Sequence, residues 1–515
     1  MLKTVVRNVL SNWLGYVVAV VVGFFLSPYL VRRLGNEQYG TWTMIVALTG
    51  YIRLLDLGIY QGVLQYVTRY RSQGKVAEIN EIVSTALGAL ALAAALGVVA
   101  SAVMAGLYPR YFATENLSVW RVQVALLIVG VSVAVTVPFE IYNAIICSCH
   151  SFHVMNVISI GVRLASAGAL VWALSRGMGL LAVATITLGV NLLAEAPRVW
   201  VAHRLVPGLR ERPQNVTRSA GRQLFGYGLW MFVMRISSML FVNIDLVLIG
   251  FFYGPVGATF YGIALTLISY AIMAIQGLSF VLGPVAIEGD ARAEPWRLRS
   301  ILLRASRVGL VLGGTFFVCF LFWGKEFIAE WMGPEYVSGR SFSSSAAILG
   351  VAAVGRVLGA GLIGPAQVLL GTRRVRPLAL ITLAQGLLAA VAAALCAKYV
   401  GPIAAAAAAS IGMVGAHAAV TVYACRVTKT GARTFALGTI LPVLVALGGT
   451  ALAAGGIRQA VVTSGWVGIF LRIGLTVLVA SLAGGYLCFD RSERQALVQW
   501  LVRRFRGCPE GSAEG

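Results

Sequence analysis

Residues 10–31 read LSNWLGYVVAVVVGFFLSPYLV, a stretch with no acidic or basic side chain. At about 1.5 Å per residue such a run spans roughly the 30 Å of a bilayer's hydrocarbon core as a helix. Five further apolar runs follow at about 42–66, 83–107, 121–145, 155–174 and 179–200. A second series occupies about 225–251, 257–286, 306–323, 345–370, 377–397, 403–424, 437–457 and 466–488, with residues at the run ends counted to the connections. Leu, Ala and Val dominate these runs, and none shows the period-2 alternation of a barrel strand. The expectation is an all-α, polytopic membrane protein with about fourteen transmembrane helices.

The composition agrees. Of 515 residues, 59% are hydrophobic and 12% are charged, whereas soluble domains carry about a quarter charged residues. The apolar excess runs along the whole length, so neither a cleaved leader nor a single anchor accounts for it. A net charge of +22 invites a nucleic-acid reading, but its distribution opposes that. With the N-terminus in the cytoplasm, 27 Lys/Arg fall in the N-terminus, the even-numbered connections and the tail, against 9 in the odd-numbered connections and 5 within spans. Positive charge collects on the cytoplasmic side of membrane proteins. The pattern therefore predicts a multi-pass protein of the inner, cytoplasmic membrane, with both termini cytoplasmic, basic connections against anionic lipids and no nucleic-acid partner.

The longest connection, 201–224, is polar and basic and contains Pro207 and Pro213. It predicts a division into an N-lobe at 1–200 and a C-lobe at 225–424, six spans each. Two extra spans at 425–489 and a cytoplasmic tail at 490–515 follow. A weak internal echo supports paired lobes: Leu34-Gly-Asn-Glu-Gln-Tyr-Gly follows the first span, and Gly254-Pro-Val-Gly-Ala-Thr-Phe-Tyr-Gly follows the seventh, aligning Tyr39-Gly40 with Tyr261-Gly262. Two such repeats place a central cavity between them.

Several chemistries find no support. The seven cysteines make no disulfide framework. Cys147, Cys149, His150 and His153 cluster at a span end, without the two separated ligand pairs of a structural zinc site. The Asn116 and Asn215 sequons are short, common patterns. No phosphate loop of the Gly-x-x-x-x-Gly-Lys-Ser/Thr kind is present. The outer connections are too short for a soluble catalytic domain, the longest being Lys325–Ser345. We expect no enzyme, metal or cofactor.

Ionisable groups at membrane depth cost about 2.5–3.5 kcal/mol on insertion scales and mark function by default. Arg53 and Asp56 stand three apart in span 2, which predicts an ion pair on one helix face. Arg163 has no carboxylate within four residues and needs a distant partner, a cavity or an anionic ligand. Arg235 and Asp245 share span 7 but lie too far apart to pair. Asp245, with Asn243 beside it, offers oxygens for Na⁺ or a proton, or pairs with an arginine of another span. Glu140, Glu195, Arg356 and Arg472 are weaker candidates, the first two lying near Pro138 and Pro197. Five intramembrane arginines and no lysine suit a phosphate or diphosphate, because guanidinium forks match phosphate oxygens.

Pro28-Tyr-Leu-Val-Arg-Arg-Leu-Gly-Asn-Glu-Gln-Tyr-Gly-Thr-Trp, Tyr51-Ile-Arg-Leu-Leu-Asp-Leu-Gly-Ile and Tyr66-Val-Thr-Arg-Tyr-Arg-Ser-Gln-Gly-Lys together resemble the polysaccharide-biosynthesis (Wzx-type) flippases. These belong to the multidrug/oligosaccharidyl-lipid/polysaccharide exporter superfamily. The resemblance covers residues 10–80, with a fainter match from Asp245 to Tyr261. It implies two six-helix lobes around a cavity and alternating-access transport of a lipid-linked oligosaccharide on an undecaprenyl-diphosphate type carrier. Other polysaccharide-assembly proteins are possible partners. The segments holding Asp56 and Asp245 fit the family pattern; Arg53 is less typical of it. The residues expected to meet the diphosphate are Arg163, Arg235, Arg53 and Arg356, with Asp245, Asp56 and Asn243 serving a coupling ion or intramembrane pairing. The alternative is an ion-coupled multidrug or small-molecule exporter of the same superfamily, for which an acidic cavity would be expected.

Overall fold

The computed structural model describes residues 2–112, 117–149, 151–242, 244–277, 294–339 and 342–488. Asn243, Asn116, His150, residues 278–286 of the eighth run and the tail at 490–515 lie outside the described residues. Helices dominate because backbone groups in hydrocarbon have no water to bond and must be satisfied within the segment. Side-chain hydroxyls follow the same rule by bonding back to the preceding turn, as Thr49 does to the Ile45 carbonyl at 2.7 Å and Ser237 to that of Val233 at 2.9 Å.

The chain opens with α1 (Leu2–Gly50), a 3-10 segment (Tyr51–Asp56), α2 (Ile59–Ser72), α3 (Val76–Tyr111), α4 (Val119–Thr136) and α5 (Glu140–Ser148). It continues through α6 (Phe152–Ser175), α7 (Leu180–Leu205), α8 (Arg218–Val242) and α9 (Ile244–Gln276). Eleven described helical runs are long and apolar enough to cross a membrane, or twelve if the bent pair Ser345–Gly361 and Ile363–Gly371 forms one span. Two of those runs, of 46 and 49 residues, are twice the length one crossing needs. Each contains a break at a glycine: Gly35 at φ 75°, ψ 169° and Gly254 at φ 70°, ψ −175°. Residues with a Cβ rarely adopt this backbone.

These matching breaks correct the alignment read from sequence. Gly35 stands four residues before Tyr39, whereas Gly254 stands seven before Tyr261, so the Tyr-Gly dipeptides do not occupy equivalent places. Both tyrosines are buried, Tyr261 completely.

Within the first half of the chain α3 packs on α4, α1 on α6, α4 and α6 on α7, and α2 on α5. In the second half α8 packs on the helix Val375–Tyr399, which pairs with Pro402–Val427. The last two helices, Leu441–Ala460 and Gly465–Leu487, pack on Ser306–Trp331. Trp323 Nε1 donates to Thr476 Oγ1 at 3.1 Å there, and Arg472 meets Glu326 at 2.6 Å. The two halves touch through α1 on α9 and α2 on α8. Beside the glycine breaks this seam is close. Thr259 donates to the Asn36 carbonyl at 2.6 Å, the Tyr336 hydroxyl bonds the Asn36 side chain, and Gly40 abuts the Pro255 carbonyl. Large apolar side chains such as Leu193, Leu452, Val467 and Leu482 face outward, as expected of a bundle whose outer solvent is lipid.

The Gly40 contact is testable. A Cβ there would overlap Pro255, so Gly40→Ala should destabilise the detergent-solubilised protein by about 1–3 kcal/mol through overpacking, read as a lower thermal unfolding midpoint. Gly106→Ala, with open space around the added carbon, should leave the midpoint unchanged or raise it.

Candidate functional site

The second run is not one continuous helix. Gly50 ends α1, the 3-10 segment turns once, and Leu57 (φ 50°) and Gly58 (φ 78°) reset the chain before α2 begins. Asp56 sits at that junction. Its Oδ1 accepts the Tyr60 amide at 3.1 Å, satisfying a backbone donor that the helix start leaves without a partner. Its Oδ2 faces Arg235 Nη1 of α8 at 3.6 Å. The expected Arg53–Asp56 pair is therefore corrected. Asp56 is committed to the α2 start and to Arg235, and Arg53 pairs instead with Glu140 at 3.6 Å.

Glu140 opens α5 directly after a short turn at Val137–Phe139, where Pro138 interrupts the regular helix. A third pair lies on α7, where Glu195 Oε1 meets Arg198 Nη1 at 2.5 Å. The three pairs form one electrostatic group: the charges of Glu140 and Arg53 act on Glu195, and that of Glu140 acts on Asp56. Arg53 and Arg235 remain 47% and 40% exposed, while Asp56 and Glu195 are each 7% exposed. The cluster thus presents two accessible guanidinium groups, with Asp56 and Glu195 buried and Glu140 partly exposed. The Asp56–Arg235 contact also joins the two halves of the chain. The backbones come together close by, where Gly58 packs against Gly228.

Asp245 belongs to a separate and closed site. It lies in the first turn of α9 with no exposed surface; its Oδ1 accepts the Leu246 amide at 3.0 Å and its Oδ2 the Tyr261 hydroxyl at 2.6 Å. Arg356 Nη2 completes the set at 2.5 Å, itself only 4% exposed. Arg356 stands on a π-helical segment, Val354–Leu358, shortly before a 42° bend at Leu362. Of the alternatives open for Asp245 in the sequence, the arginine of another span is the one found. This corrects Arg356 as a diphosphate contact, since its charge is spent on a buried carboxylate.

Arg163 lies exposed on α6, and its charge acts on Tyr270 of α9. No carboxylate pairs with it among the described residues, and it joins neither group. Arg472 pairs with Glu326, which also meets Arg458 at 3.6 Å. Sequence reasoning missed Arg198 and Tyr261. The Glu195-Ala-Pro-Arg198 spacing, three apart on a helix, was the available signal for the first; only the packing of α9 reveals the second. An apolar cavity of about 320 Å³ lies between α9, Ser306–Trp331 and Gly465–Leu487, lined by Leu267, Leu312, Phe316, Phe327, Ile473 and Val477 among others.

A family profile described as "Polysaccharide biosynthesis protein" matches residues 5–289, more than half of the chain. The chain belongs to that family. A "Putative O-antigen transporter" of Shigella flexneri is 21% identical over 154 residues, which make up 30% of this chain. The chain spans about a third of that relative's length, 36%. Among solved structures it is similar to "Lipid II flippase MurJ, inward closed conformation", with a TM-score of 0.67 at 14% identity over 98% of this chain and 100% of that one. It is also similar to an inward-facing multidrug resistance MATE family transporter of the MOP superfamily, with a TM-score of 0.65 at 12% identity over 81% of this chain and 94% of that one. The polysaccharide-biosynthesis chain therefore shares its fold with both, and the sequence resemblance to its family holds.

The closed pair carries a prediction. Arg356→Met leaves the Asp245 carboxylate buried without a counter-charge and should cost about 3–5 kcal/mol of stability. Adding Asp245→Asn should recover a large part of that loss, giving a strong coupling in a double-mutant cycle of thermal unfolding.

Proposed function

We propose that this protein is a flippase that carries a polyprenyl-diphosphate-linked oligosaccharide across the cytoplasmic membrane for cell-surface or exopolysaccharide synthesis. It works by alternating access of two lobes, residues 1–200 and 225–424. The observation that carries this reading is the arginine cluster at the junction of the halves. Arg53 and Arg235 are each about half exposed, come from opposite halves, and are held by carboxylates behind them. Guanidinium forks in that position recognise phosphate oxygens bidentately, and a site shared by both halves changes shape when one moves against the other. Family membership and the flippase-like fold support the same reading.

In this scheme the diphosphate meets Arg53 and Arg235 and the glycan passes through the aqueous space beside them. The lipid tail stays in apolar surroundings, for which the cavity beside Gly465–Leu487 offers a suitable lining. Arg163, lacking a carboxylate partner, serves as a further anion contact. The seam at Asn36, Thr259 and Tyr336 is the gate on the side away from the basic linker, and the linker and both termini are cytoplasmic. The second reading, an ion-coupled exporter of small molecules, draws on the carboxylates Asp56, Glu140 and Glu195, which equal the arginines in number.

In proteoliposomes loaded with lipid-linked oligosaccharide, Arg53→Ala with Arg235→Ala should lower translocation at least tenfold, equivalent to about 1.4 kcal/mol. Adding Arg163→Ala should lower it further. Arg458→Ala, at an exposed pair remote from the cluster, should not change it. Unaltered translocation in the triple variant would refute the proposal, and cation efflux sensitive to the carboxylates alone would favour the exporter.

A further inference from the structure

The cluster proposed to receive an anion is already neutral. Arg53, Arg198 and Arg235 are matched by Asp56, Glu140 and Glu195, in three pairs with separations of 3.6, 2.5 and 3.6 Å. Bringing phosphate charge into this partly desolvated group adds negative charge to a balanced set, which is unfavourable unless a cation enters with it or a carboxylate is neutralised. We infer that binding of a phosphate-bearing anion at this cluster is linked to uptake of one proton by Glu195. The inference rests on the diphosphate reading of the cluster and adds the ion that accompanies the cargo.

Three carboxylates compete for that proton, and their surroundings separate them. Asp56 has both oxygens engaged, one by the Tyr60 amide and one by Arg235. A proton there would release a helix start and the contact between the halves. Glu140 is 36% exposed, so water supports its charge. Glu195 is 7% exposed; its Oε1 meets Arg198, while its Oε2 is buried without a hydrogen-bond partner among the described residues. An ionised oxygen in that position lacks the donors that would favour the charged form. The Nε of Arg198 is buried without a partner in the same way, so this pair is the least satisfied of the three.

The groups acting on Glu195 are Arg198 on its own helix, Glu140 on α5 and Arg53 on the 3-10 segment. An open cleft lined by Phe139, Leu192, Val199, Trp200 and His203 runs along α7 beside Glu195. At its far end the two ring nitrogens of His203 are taken by the Val199 carbonyl at 2.9 Å and Glu211 at 3.1 Å. In this inference the cleft, with His203 at its end, is the route by which a proton from bulk water reaches Glu195. One proton passes from a hydronium ion to Oε2: an O–H bond of the hydronium breaks, leaving water, and an O–H bond forms at Oε2. The cluster gains one unit of positive charge, which offsets part of the anion's charge. When the anion leaves, the proton leaves with it. A neutral Glu195 also loosens Arg198, placing a third guanidinium close to Glu140 and allowing Arg53 to turn from Glu140 to the anion.

The test uses the full chain in lipid nanodiscs with inorganic pyrophosphate as the probe. Titration calorimetry in buffers of different ionisation enthalpy counts the protons taken up per pyrophosphate bound. The wild type should take up about one more proton than Glu195→Gln. Its affinity should also fall, relative to that variant, by about tenfold per pH unit above the titration of Glu195. Glu195→Asp, which keeps an acid, should keep the uptake. A protonated-carboxyl infrared band should appear on pyrophosphate addition to the wild type, a readout that survives if Glu195→Gln does not fold. Pyrophosphate binding with equal proton counts in wild type and Glu195→Gln, or with no such band, overturns the inference and leaves the anion site standing. Absence of pyrophosphate binding overturns both.

Discussion

The ion pair between Asp245 and Arg356 exists because neither group has water to fall back on. Both lie almost wholly inside the protein, and Tyr261 and a backbone amide take the remaining carboxylate capacity. In hydrocarbon the cost of an uncompensated charge is large enough to dictate which helices must stay together. Here it ties the start of α9 to the π-helical turn of a bent span. A π-turn shifts side chains relative to a regular helix, which carries the Arg356 guanidinium to a carboxylate on a helix distant in sequence. The bend at Leu362 follows immediately. The second half of the chain is thus anchored around one neutral, closed polar site.

The charges at the junction of the halves are handled differently. The pairs there are longer or more exposed, and two of the three arginines keep about half their surface open. That contrast separates a closed pair from an accessible group. The cluster sits where the chain departs from regular helix: the 3-10 segment at Tyr51–Asp56, the left-handed residues Leu57 and Gly58, and the turn at Pro138. Irregular backbone at membrane depth is tolerated where protein or a water-filled space satisfies it. Asp56 does part of that service through the Tyr60 amide. The breaks in the helices and the polar side chains are one arrangement.

The limits of sequence reading are clear in particular residues. The apolar runs were legible because burial in lipid demands an uninterrupted length of apolar side chains, whatever their neighbours. The breaks at Gly35 and Gly254 were visible as polar, glycine-containing junctions, but their equivalence was misplaced by the more conspicuous Tyr-Gly pairs. Arg53 and Asp56 were recognised as buried charge and assigned to each other, because spacing on an ideal helix is all that a sequence offers. The local 3-10 turn and the demand of the α2 start for an acceptor sent Asp56 to Arg235. The Glu195–Arg198 pair stands at helical spacing, with Pro197 between the two residues.

The solvent, the helical class and the family to which the chain belongs are therefore legible in the sequence alone. These follow from composition, run length and local motifs, each a property of neighbouring residues. Which charge meets which was decided only in the tertiary structure. A buried ion pair depends on helices more than a hundred residues apart, as Asp245 and Arg356 are, arriving within a few ångströms of each other. Only the packed bundle specifies that distance.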